Sequence, residues 1–485
     1  MEYQFKTRPF AHQQDCWEKT RHKKAYAIFW EQGTGKTKLT IDTLAWLFME
    51  QHVDALLVLA PNGVHRNWIS DELPAHLPNE IADKMRAYIY FSKTAKNVSS
   101  IREQKEVLNH NGLAVVAMSY DALMTEHGAK FAKDFLTKRK CLYVLDEATR
   151  IKNPKAQRTK RVLASAKYAP FRRILTGTPV ANSPFDIYAQ LKFLDDFCWS
   201  SLGIGSYTVF KAHFGIWEKK YNGQQGREFM SLVAYRNLDD LHKVVDVHGS
   251  RVTKAQVLDL PPKLYSKRYF KLSPPQAQLY EQLRDNFMAD LGEQQVTAAL
   301  AIVRLLRLQQ VTSNYIPVDE DSTDLRQINV ENPRIELLRD VVDDIPHKFI
   351  VWAKFQKDID LIMEALRADK VEAVQYDGRT SAEDRATAIE RFQRGDAKAF
   401  VANPAAASEG LTLHAAKTVI YYNNSFKLTD RLQSEDRAHR IGQHSPVGYI
   451  DLVAEGTVDE HITKALCSKL NVASLITGDK LKDWI

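Results

Sequence analysis

A glycine-rich loop, Gly33-Thr34-Gly35-Lys36-Thr37, has the composition of a site that binds nucleotide phosphates. The two glycines let backbone N–H groups converge on phosphate oxygens. Lys36 would supply a positive charge, and Thr37 would offer a hydroxyl ligand to Mg²⁺. A tryptophan stands where the longer G-x-x-x-x-G-K-T pattern has its first glycine. A plain glycine turn with an incidental lysine is therefore the alternative interpretation.

Two consecutive carboxylates, Asp146 and Glu147, follow a second apolar run. Ligands of open parallel sheets bind at the carboxyl ends of strands, where these acids would lie. Asp146 is suited to hold Mg²⁺ through water, and Glu147 is suited to orient and deprotonate an attacking water. Such a pair in isolation is usually a solvated turn, but the phosphate-binding loop upstream favours the catalytic interpretation.

A small polar turn, Thr176-Gly177-Thr178, ends the next apolar run. Hydroxyl groups around a glycine could sense a γ-phosphate or the acidic pair and pass that signal to another part of the chain. A simple β-turn is the alternative, and the turn alone does not distinguish the two.

An arginine pair stands near the other end of the sequence. Gln433, Arg437 and Arg440 recur at i, i+4 and i+7, so a helix would place them on one face. Two guanidinium groups aimed together can clamp a triphosphate as arginine fingers. The alternative is a solvated charged face in which the arginines pair with Glu435 and Asp436.

Two series of short apolar runs alternate with helical patterns and would position these groups. The runs are rich in β-branched and aromatic residues and lack strict polar alternation, which is typical of strands buried on both faces. We therefore predict α/β folds with parallel sheets. The predicted strands are 25–30, 55–60, 115–118, 142–145 and 173–176, then 349–352, 373–376, 399–401, 418–422 and 448–453. Residues 195–345 between the two series are predicted to be mostly helical, with a surface loop at 317–333.

Composition excludes several classes of protein. The chain has 485 residues, of which 44% are hydrophobic, and this excludes a disordered chain. Its formal charge of +7 permits nucleic-acid binding without demonstrating it. No apolar run approaches the ~20 residues of a membrane span, and the start lacks the apolar core of a signal peptide. The scattered cysteines favour a reducing compartment without a zinc site or disulfide framework, so we expect a soluble cytoplasmic protein. The cysteines are Cys16, Cys141, Cys198 and Cys467.

The order of these motifs resembles a known family. The glycine-rich loop is followed by D-E-A-T, L-T-G-T-P and Q-S-E-D-R-A-H-R-I-G-Q. This series resembles superfamily-two helicase-like ATPases, and the R-I-G-Q ending resembles the Swi/Snf-type DNA translocases among them. The resemblance implies two tandem RecA-like parallel-sheet lobes with helical insertions between them. Lobe one would cover 1–235 with a helical protrusion near 195–235, and 236–345 would form a linker and second protrusion leading into lobe two at 346–485.

The resemblance also implies roles for single residues. Gln13 would contact adenine, and Gly33, Thr34, Gly35, Lys36, Thr37 and Gln433 would complete the site for ATP and Mg²⁺. Asn67-Trp68 is similar to a motif on the nucleic-acid face of lobe one, and 251–263 is similar to the segment that links the lobes. The glycine-rich motif before the last strands keeps only Gly410 and Leu413, and Glu409 would repel a phosphate there if it pointed inward. Candidate DNA contacts, each equally consistent with a solvated surface charge, are Arg66, Lys152, Lys354, Arg379 and Lys427.

Three functions follow from these features. The leading hypothesis is a DNA-stimulated ATPase that moves on duplex DNA and remodels protein–DNA complexes or DNA structures. The first alternative is a helicase that separates strands or acts on branched DNA. The second is a non-catalytic DNA-binding scaffold, whose signature would be loss of the lysine, an acid or an arginine, all of which are present. A protein partner and the oligomeric state stay open, and the lack of a recognisable chromatin-reading module favours a bacterial or viral source.

Overall fold

The computed structural model describes residues 3–222, 227–292, 298–318, 324–405 and 411–479. Within these ranges the chain divides into two compact units. The first unit comprises 3–215, 235–259 and 471–479, and the second comprises 216–234 and 260–470. In the described part of the chain, every helix is too short or too polar to cross a membrane.

Seventeen strands lie in these ranges. They are β1 Ala25–Trp30, β2 Ala55–Ala60, β3 Met85–Tyr90, β4 Leu113–Ser119, β5 Cys141–Asp146, β6 Phe171–Leu175, β7 Gly215–Asn222, β8 Arg227–Tyr235, β9 Gly249–Val252, β10 Lys263–Phe270, β11 Tyr315–Pro317, β12 Leu325–Gln327, β13 Phe349–Trp352, β14 Ala373–Tyr376, β15 Ala399–Ala402, β16 Thr418–Tyr421 and β17 Val447–Ala454.

The α-helices alternate with these strands. They are α1 Ala11–Thr20, α2 Lys36–Met49, α3 Leu73–His76, α4 Asn79–Ala82, α5 Val98–Asn109, α6 Glu126–Lys138, α7 Gln157–Ala166, α8 Ile187–Leu194, α9 Tyr207–Phe214, α10 Leu238–His248, α11 Lys254–Val257, α12 Pro274–Gly292, α13 Ala298–Thr312, α14 Pro333–Asp343, α15 Gln356–Ala368, α16 Ala382–Gln393, α17 Leu428–Ala438 and α18 Val458–Thr477.

The first unit is built on a seven-stranded sheet in the order β3-β4-β2-β5-β6-β1-β9. All of its pairings are parallel. Strand β2, an inner strand between β4 and β5, is buried along its whole length, as its wholly apolar sequence predicts. A parallel sheet brings the ends of β1, β5 and β6, which precede the predicted chemical groups, to the same edge.

The second unit contains a six-stranded parallel sheet in the order β10-β17-β16-β13-β15-β14. Its central strand β13 is fully buried, with Trp352 among the largest buried side chains. Strand β10 forms an edge, and its side chains alternate between half-buried and exposed over most of its length. The two sheets confirm the predicted α/β class, and all ten predicted strands are present with small shifts of their ends.

The segment 195–345 differs from its prediction. The structure has strands β7–β12 there beside helices α9–α14, so the expectation of mostly helical structure is wrong for these parts. The protrusion predicted near 195–235 ends in the two-stranded sheet β7-β8. The loop predicted at 317–333 contains β12, which pairs antiparallel with β11, and residues 319–323 lie outside the described ranges. These strands are short or partly exposed, and they lack the apolar runs that identify buried strands.

The first unit also continues beyond the predicted end of lobe one at residue 235. Strand β9 adds to the edge of its sheet beside β1, with Ala27 opposite Gly249. Residues 471–479 belong to this unit as well, although they follow the whole second sheet in the chain. The sequence Gly-Ser-Arg-Val of β9 is too short and polar to indicate a strand.

Candidate active site

The phosphate-binding loop connects β1 directly to α2. Gly33 and Gly35 both have left-handed backbone conformations, with φ of 79° and 86°. A Cβ atom at Gly35 would also lie 2.0 Å from Nε2 of Gln13. The loop therefore requires glycine at position 35 for its backbone angle and for a close side-chain approach. The turn delivers the chain to the N-terminus of α2, where unsatisfied N–H groups favour an anion.

Helix α1 holds this loop through two side chains. The Gln13 amide accepts a hydrogen bond from the Phe10 N–H at 2.8 Å and donates one to the Gly35 carbonyl at 3.0 Å. His12 Nε2 lies 2.9 Å from the Thr34 carbonyl oxygen. Gln13 is therefore at the loop, as the resemblance implies, with both ends of its amide engaged by protein. Its contact with adenine stays a prediction.

The side chains of the loop fold over its own carbonyl groups. Lys36 Nζ donates hydrogen bonds to the carbonyl oxygens of Trp30 and Glu31, at 3.0 and 3.2 Å. The hydroxyl of Thr34 is fully buried and donates to the Glu31 carbonyl at 2.7 Å. Thr37 lies in the first turn of α2 and is half-buried. The ammonium group is thus held beside the loop backbone by neutral oxygen atoms that phosphate oxygens could replace.

The acidic pair adjoins the phosphate loop. Asp146 is the last residue of β5, and Glu147 takes a left-handed conformation with φ of 52°. Gln32 in the loop donates a hydrogen bond to Glu147 Oε1 at 3.2 Å. Asp146 Oδ2 accepts a hydrogen bond from the Trp68 indole at 2.9 Å. Burial raises the pKa of Asp146, whereas the Trp68 hydrogen bond and the charge of Lys36 lower it.

The turn after β6 packs behind the same loop. Thr178 N–H donates to the buried Thr176 hydroxyl at 3.1 Å, which closes the turn. A Cβ atom added at Gly177 would lie 3.3 Å from the Gln32 nitrogen and the Trp30 carbonyl oxygen. The structure thus brings together in the first unit the loop, the acidic pair and the predicted coupling turn.

Arg251, which the resemblance assigns to the segment linking the lobes, is a further residue at this site. Its Nη1 donates to the Phe29 and Gly177 carbonyls at 2.7 and 3.0 Å, so it joins β1 to the turn after β6. The same guanidinium forms hydrogen bonds to both carboxylate oxygens of Asp479, the shortest at 2.8 Å. The pair is 228 residues apart in the chain, and no local sequence pattern could have indicated it.

The arginine pair of the second unit converges on one carbonyl group. Arg437 and Arg440 each donate from Nη1 to the Leu411 oxygen, at 3.2 and 3.1 Å. Helix α17 ends at Ala438, so the prediction of a single helical face is wrong for Arg440. The chain turns after the helix, and this turn rather than helical periodicity places the two guanidinium groups together. Gln433 lies within α17 and is half-buried.

Glu435 does not belong to a solvated face, in contrast to the alternative interpretation of the arginine motif. Its carboxylate is fully buried and accepts hydrogen bonds from Arg431, Lys263 and Tyr265 at 2.7–2.9 Å. Burial alone would raise the pKa of Glu435, but the charges of Lys263 and Arg431 outweigh it and lower the pKa to about 2. The helix that carries Arg437 is therefore fixed by a buried ionic network.

The candidate DNA contacts differ in their surroundings. Arg66 and Lys427 are exposed, and Lys152 is half-buried. Arg379 forms ion pairs with Asp360 and Asp377, at 2.8 and 2.6 Å.

Lys354 is the most enclosed of these candidates. It donates a hydrogen bond to Gln309, and burial together with the nearby charge of Lys427 lowers its pKa to about 8. Its role in DNA binding stays a prediction, as do those of the other four candidates. Glu409 and Gly410 lie outside the described residues, while Leu413 is fully buried.

Comparisons with known proteins cover most of the chain. A family model described as the SNF2-related domain matches residues 16–315, and one described as the helicase conserved C-terminal domain matches 333–442. An uncharacterized ATP-dependent helicase of Mycoplasma genitalium is 26% identical over 446 residues, which are 89% of this chain and 38% of that protein. The transcription regulatory protein SNF2 of Saccharomyces cerevisiae is 24% identical over 461 residues, which are 91% of this chain and 26% of that protein.

A solved structure, the Sulfolobus solfataricus SWI2/SNF2 ATPase core in complex with dsDNA, is similar over 99% of both chains, at 22% identity and a TM-score of 0.44. The chain spans about two fifths or less of the length of the two sequence relatives named above. The matched SNF2-related domain covers well over half of the sequence and includes the phosphate loop and the acidic pair. The chain therefore belongs to the SNF2-related family.

Proposed function

We propose that the chain is an ATP-dependent motor that hydrolyses ATP in response to duplex DNA and moves along it. The observation that carries the proposal is the contact between Gln32 of the phosphate loop and Glu147 of the acidic pair. This contact supports the proposal, because it joins the loop proposed to hold the phosphates to the carboxylate proposed to activate water. The relative in Mycoplasma genitalium is named an ATP-dependent helicase, which supports the same chemistry.

The residues present fit Mg²⁺, because a hard cation prefers oxygen ligands. Asp146 offers a carboxylate at the end of β5, and Thr37 offers a hydroxyl at the start of α2. We propose that these two residues hold the metal, which when bound neutralises charge on the phosphates. Among the described residues there is no cluster of three His, Cys, Asp or Glu side chains that would form a metal centre of another kind.

The chain's own groups then have distinct tasks in hydrolysis. The loop backbone and Lys36 bind the β- and γ-phosphates, Gln13 contacts the adenine, and Glu147 orients the attacking water and takes its proton. The resemblance assigns Arg437 and Arg440 to the charge that develops on the γ-phosphate. Gln433 would contact the same nucleotide, and the turn at Thr176–Thr178 would pass the state of the phosphate to the rest of the motor.

Nucleic-acid binding is proposed to depend mainly on phosphate contacts. Such contacts give strong salt dependence and little sequence preference. Arg66, Lys152, Lys354, Arg379 and Lys427 are the proposed contacts. The substrate would be duplex DNA or a protein–DNA complex.

The test compares ATPase activity without nucleic acid and with single-stranded DNA, duplex DNA, branched DNA and RNA. We expect the largest stimulation by duplex DNA, and no activity from Lys36→Ala under any condition. Displacement of a third strand without unwinding of a fork would distinguish movement on duplex DNA from strand separation. An ATPase that ignores duplex DNA but responds strongly to RNA would contradict the proposal.

A further inference from the structure

Trp68 is a buried side chain in direct contact with the carboxylate that we assign to Mg²⁺. Only 2% of it is exposed, and its indole nitrogen lies 2.9 Å from Asp146 Oδ2. An indole N–H can only donate a hydrogen bond, so the carboxylate oxygen is the acceptor. The contact occupies one oxygen of Asp146 and fixes the orientation of the whole carboxylate group.

The backbone around Trp68 connects this contact to an exposed segment. Strand β2 lies beside β5, with Leu59 opposite Leu145, so the segment after β2 passes close to Asp146. Residues 61–67 form turns, and Trp68 then begins a π-helical turn, Trp68–Glu72. Single π-helical turns are rare and occur often at functional sites.

Arg66 is the exposed cation of this segment, and its backbone is part of the turn that holds Trp68. The Arg66 carbonyl accepts hydrogen bonds from the N–H groups of Ile69 and Ser70, at 2.9 and 3.0 Å. A displacement of Arg66 by a bound phosphate would therefore move the turn and the indole with it. The exposed cation, Arg66, and the buried donor, Trp68, are only two residues apart in the chain.

A second aromatic residue restrains Asp146 from another strand end. Tyr120, directly after β4, donates its hydroxyl hydrogen bond to the Asp146 carbonyl at 2.8 Å. This bond fixes the backbone of Asp146, which leaves the side chain as the part that Trp68 controls.

We propose that Trp68 is a positioning residue that couples duplex binding at residues 61–67 to the orientation of Asp146. The inference rests on the proposed function and extends it to a physical connection between the two ligands. Duplex binding shifts the turn, the indole shifts with it, and the carboxylate is aligned for its metal. Misplacement by about 1 Å at such a group costs about 100-fold in rate.

The variant Trp68→Phe removes the N–H donor and keeps an aromatic ring in the buried site. We expect its duplex-stimulated ATPase to fall at least about tenfold, toward the rate without DNA. In calorimetry, the Mg²⁺ concentration that gives half-maximal Mg²⁺-dependent ATP binding should rise about tenfold in this variant. ATP affinity measured without Mg²⁺ should not change.

Trp199→Phe is the matched control. Trp199 is equally buried, lies in the first unit, and donates its indole hydrogen bond to the Tyr188 carbonyl at 3.3 Å. It makes no described contact with the acidic pair. For the Trp199→Phe variant, the stimulation of ATPase activity by duplex and the Mg²⁺ dependence of ATP binding should stay within about twofold of the wild type. Equal losses in both variants would show a general effect of removing a buried indole and would overturn the inference.

Nuclear magnetic resonance of the wild-type protein labelled with fluorotryptophan provides a readout that needs no catalysis. The Trp68 signal should shift when duplex DNA is added without nucleotide, and Arg66→Ala should weaken the shift. Two outcomes would overturn this inference and leave the proposed function intact. One is a wild-type ATPase that duplex stimulates while the Trp68 signal does not change. The other is a Trp68→Phe variant that duplex stimulates as strongly as the wild type. A wild-type ATPase indifferent to duplex would overturn the proposed function and the coupling with it.

Discussion

The two units hold the cations that we propose for the nucleotide phosphates in different ways. In the first unit, Lys36 donates hydrogen bonds to the main-chain carbonyl groups of Trp30 and Glu31, at the end of β1 and just after it. In the second unit, Arg437 and Arg440 share the Leu411 carbonyl and lie beside a buried network of full charges. That network joins Arg431 to Glu435 and Asp451.

The two kinds of contact differ in how easily a ligand can replace them. A carbonyl group is neutral, so its hydrogen bond to Lys36 can be exchanged for one to a phosphate at a modest net cost of about 1 kcal/mol. Removing one partner of a buried ion pair leaves an uncompensated charge and costs about 3–5 kcal/mol. We infer that the first unit adapts around the nucleotide, whereas the second unit presents its arginines from a rigid base.

We expect the largest effect on catalysis from replacing the guanidinium group of Arg437. We expect Arg437→Lys to lower kcat by about 1000-fold, because lysine keeps the charge but lacks the planar fork that stabilises the transition state. ATP affinity should change little, and single-turnover kinetics would separate the two. Arg391→Lys, at an exposed ion pair in the second unit, is the control. A variant at position 437 that keeps a tenth of the wild-type kcat would argue against a role in the transition state.

The rigid base should be most sensitive at Glu435. We expect Glu435→Gln to reduce the free energy of unfolding of the second unit by about 3 kcal/mol, measured by urea denaturation. Glu364→Gln, at an exposed position in α15, should change it by less than about 0.5 kcal/mol. A similar small effect at both positions would show that the buried network does not fix the unit.

The same residue predicts a pH dependence with a defined sign. The pKa of Glu435 is about 2 in the folded chain against an ordinary value of 4.5, so it contributes stability that is complete above pH 4.5. This contribution should be lost as the pH falls from 4.5 toward 2. The glutamine variant should lack this part of the acid dependence, which unfolding curves at several pH values would reveal.

A smaller effect is expected in the adaptable unit. Asp479→Asn would remove the charge that orients Arg251, and we expect the KM for ATP to rise about fivefold at nearly constant kcat. Asp134→Asn, on the exposed face of α6, should leave both constants unchanged. A fall in kcat without a change in KM would instead place Arg251 in the chemical step.

The smallest effect concerns a proposed DNA contact of the second unit. Because the pKa of Lys354 is about 8, its charge is lost as the pH rises from 7 to 9, and a bound phosphate would favour the charged form. We expect the duplex affinity of the wild type to fall about threefold between pH 7 and pH 9. The control variant Lys357→Arg should show the same fall, because it keeps Lys354. Lys354→Arg should remove the additional pH dependence, since arginine stays charged. An identical pH profile for Lys354→Arg and wild type would exclude a phosphate contact there.

Sequence patterns were sufficient where structure is local. The strand, glycine loop and helix at residues 25–49 follow from an apolar run, two glycines and a helical sequence, and all three are present. The position of the acidic pair at the edge of the sheet could be predicted because the pair directly follows an apolar run typical of a buried strand. The end of α17 at Ala438 was missed, because the sequence Ala-His-Arg carries no glycine or proline that would mark it.

Contacts distant in sequence could not be predicted in the same way. The hydrogen bond from Trp68 to Asp146 depends on β2 and β5 being neighbours, which the order of strands in the chain does not reveal. Strand β9 was missed because its four residues include Ser250 and Arg251 and no apolar run. Such features depend on sheet topology, and a single sequence specifies topology only indirectly.

The position of Asp479 has a consequence for synthesis on the ribosome. Arg251 emerges 228 residues before its carboxylate partner, a delay of roughly 10–50 s at ordinary elongation rates. The first sheet can assemble during that interval, since its last strand has already been made. The carboxylate that orients Arg251 arrives only after the whole second sheet has been translated. If Arg251 supports nucleotide binding as we propose, a nascent chain would acquire its full affinity for nucleotide late, when the two arginines proposed for hydrolysis have also been made.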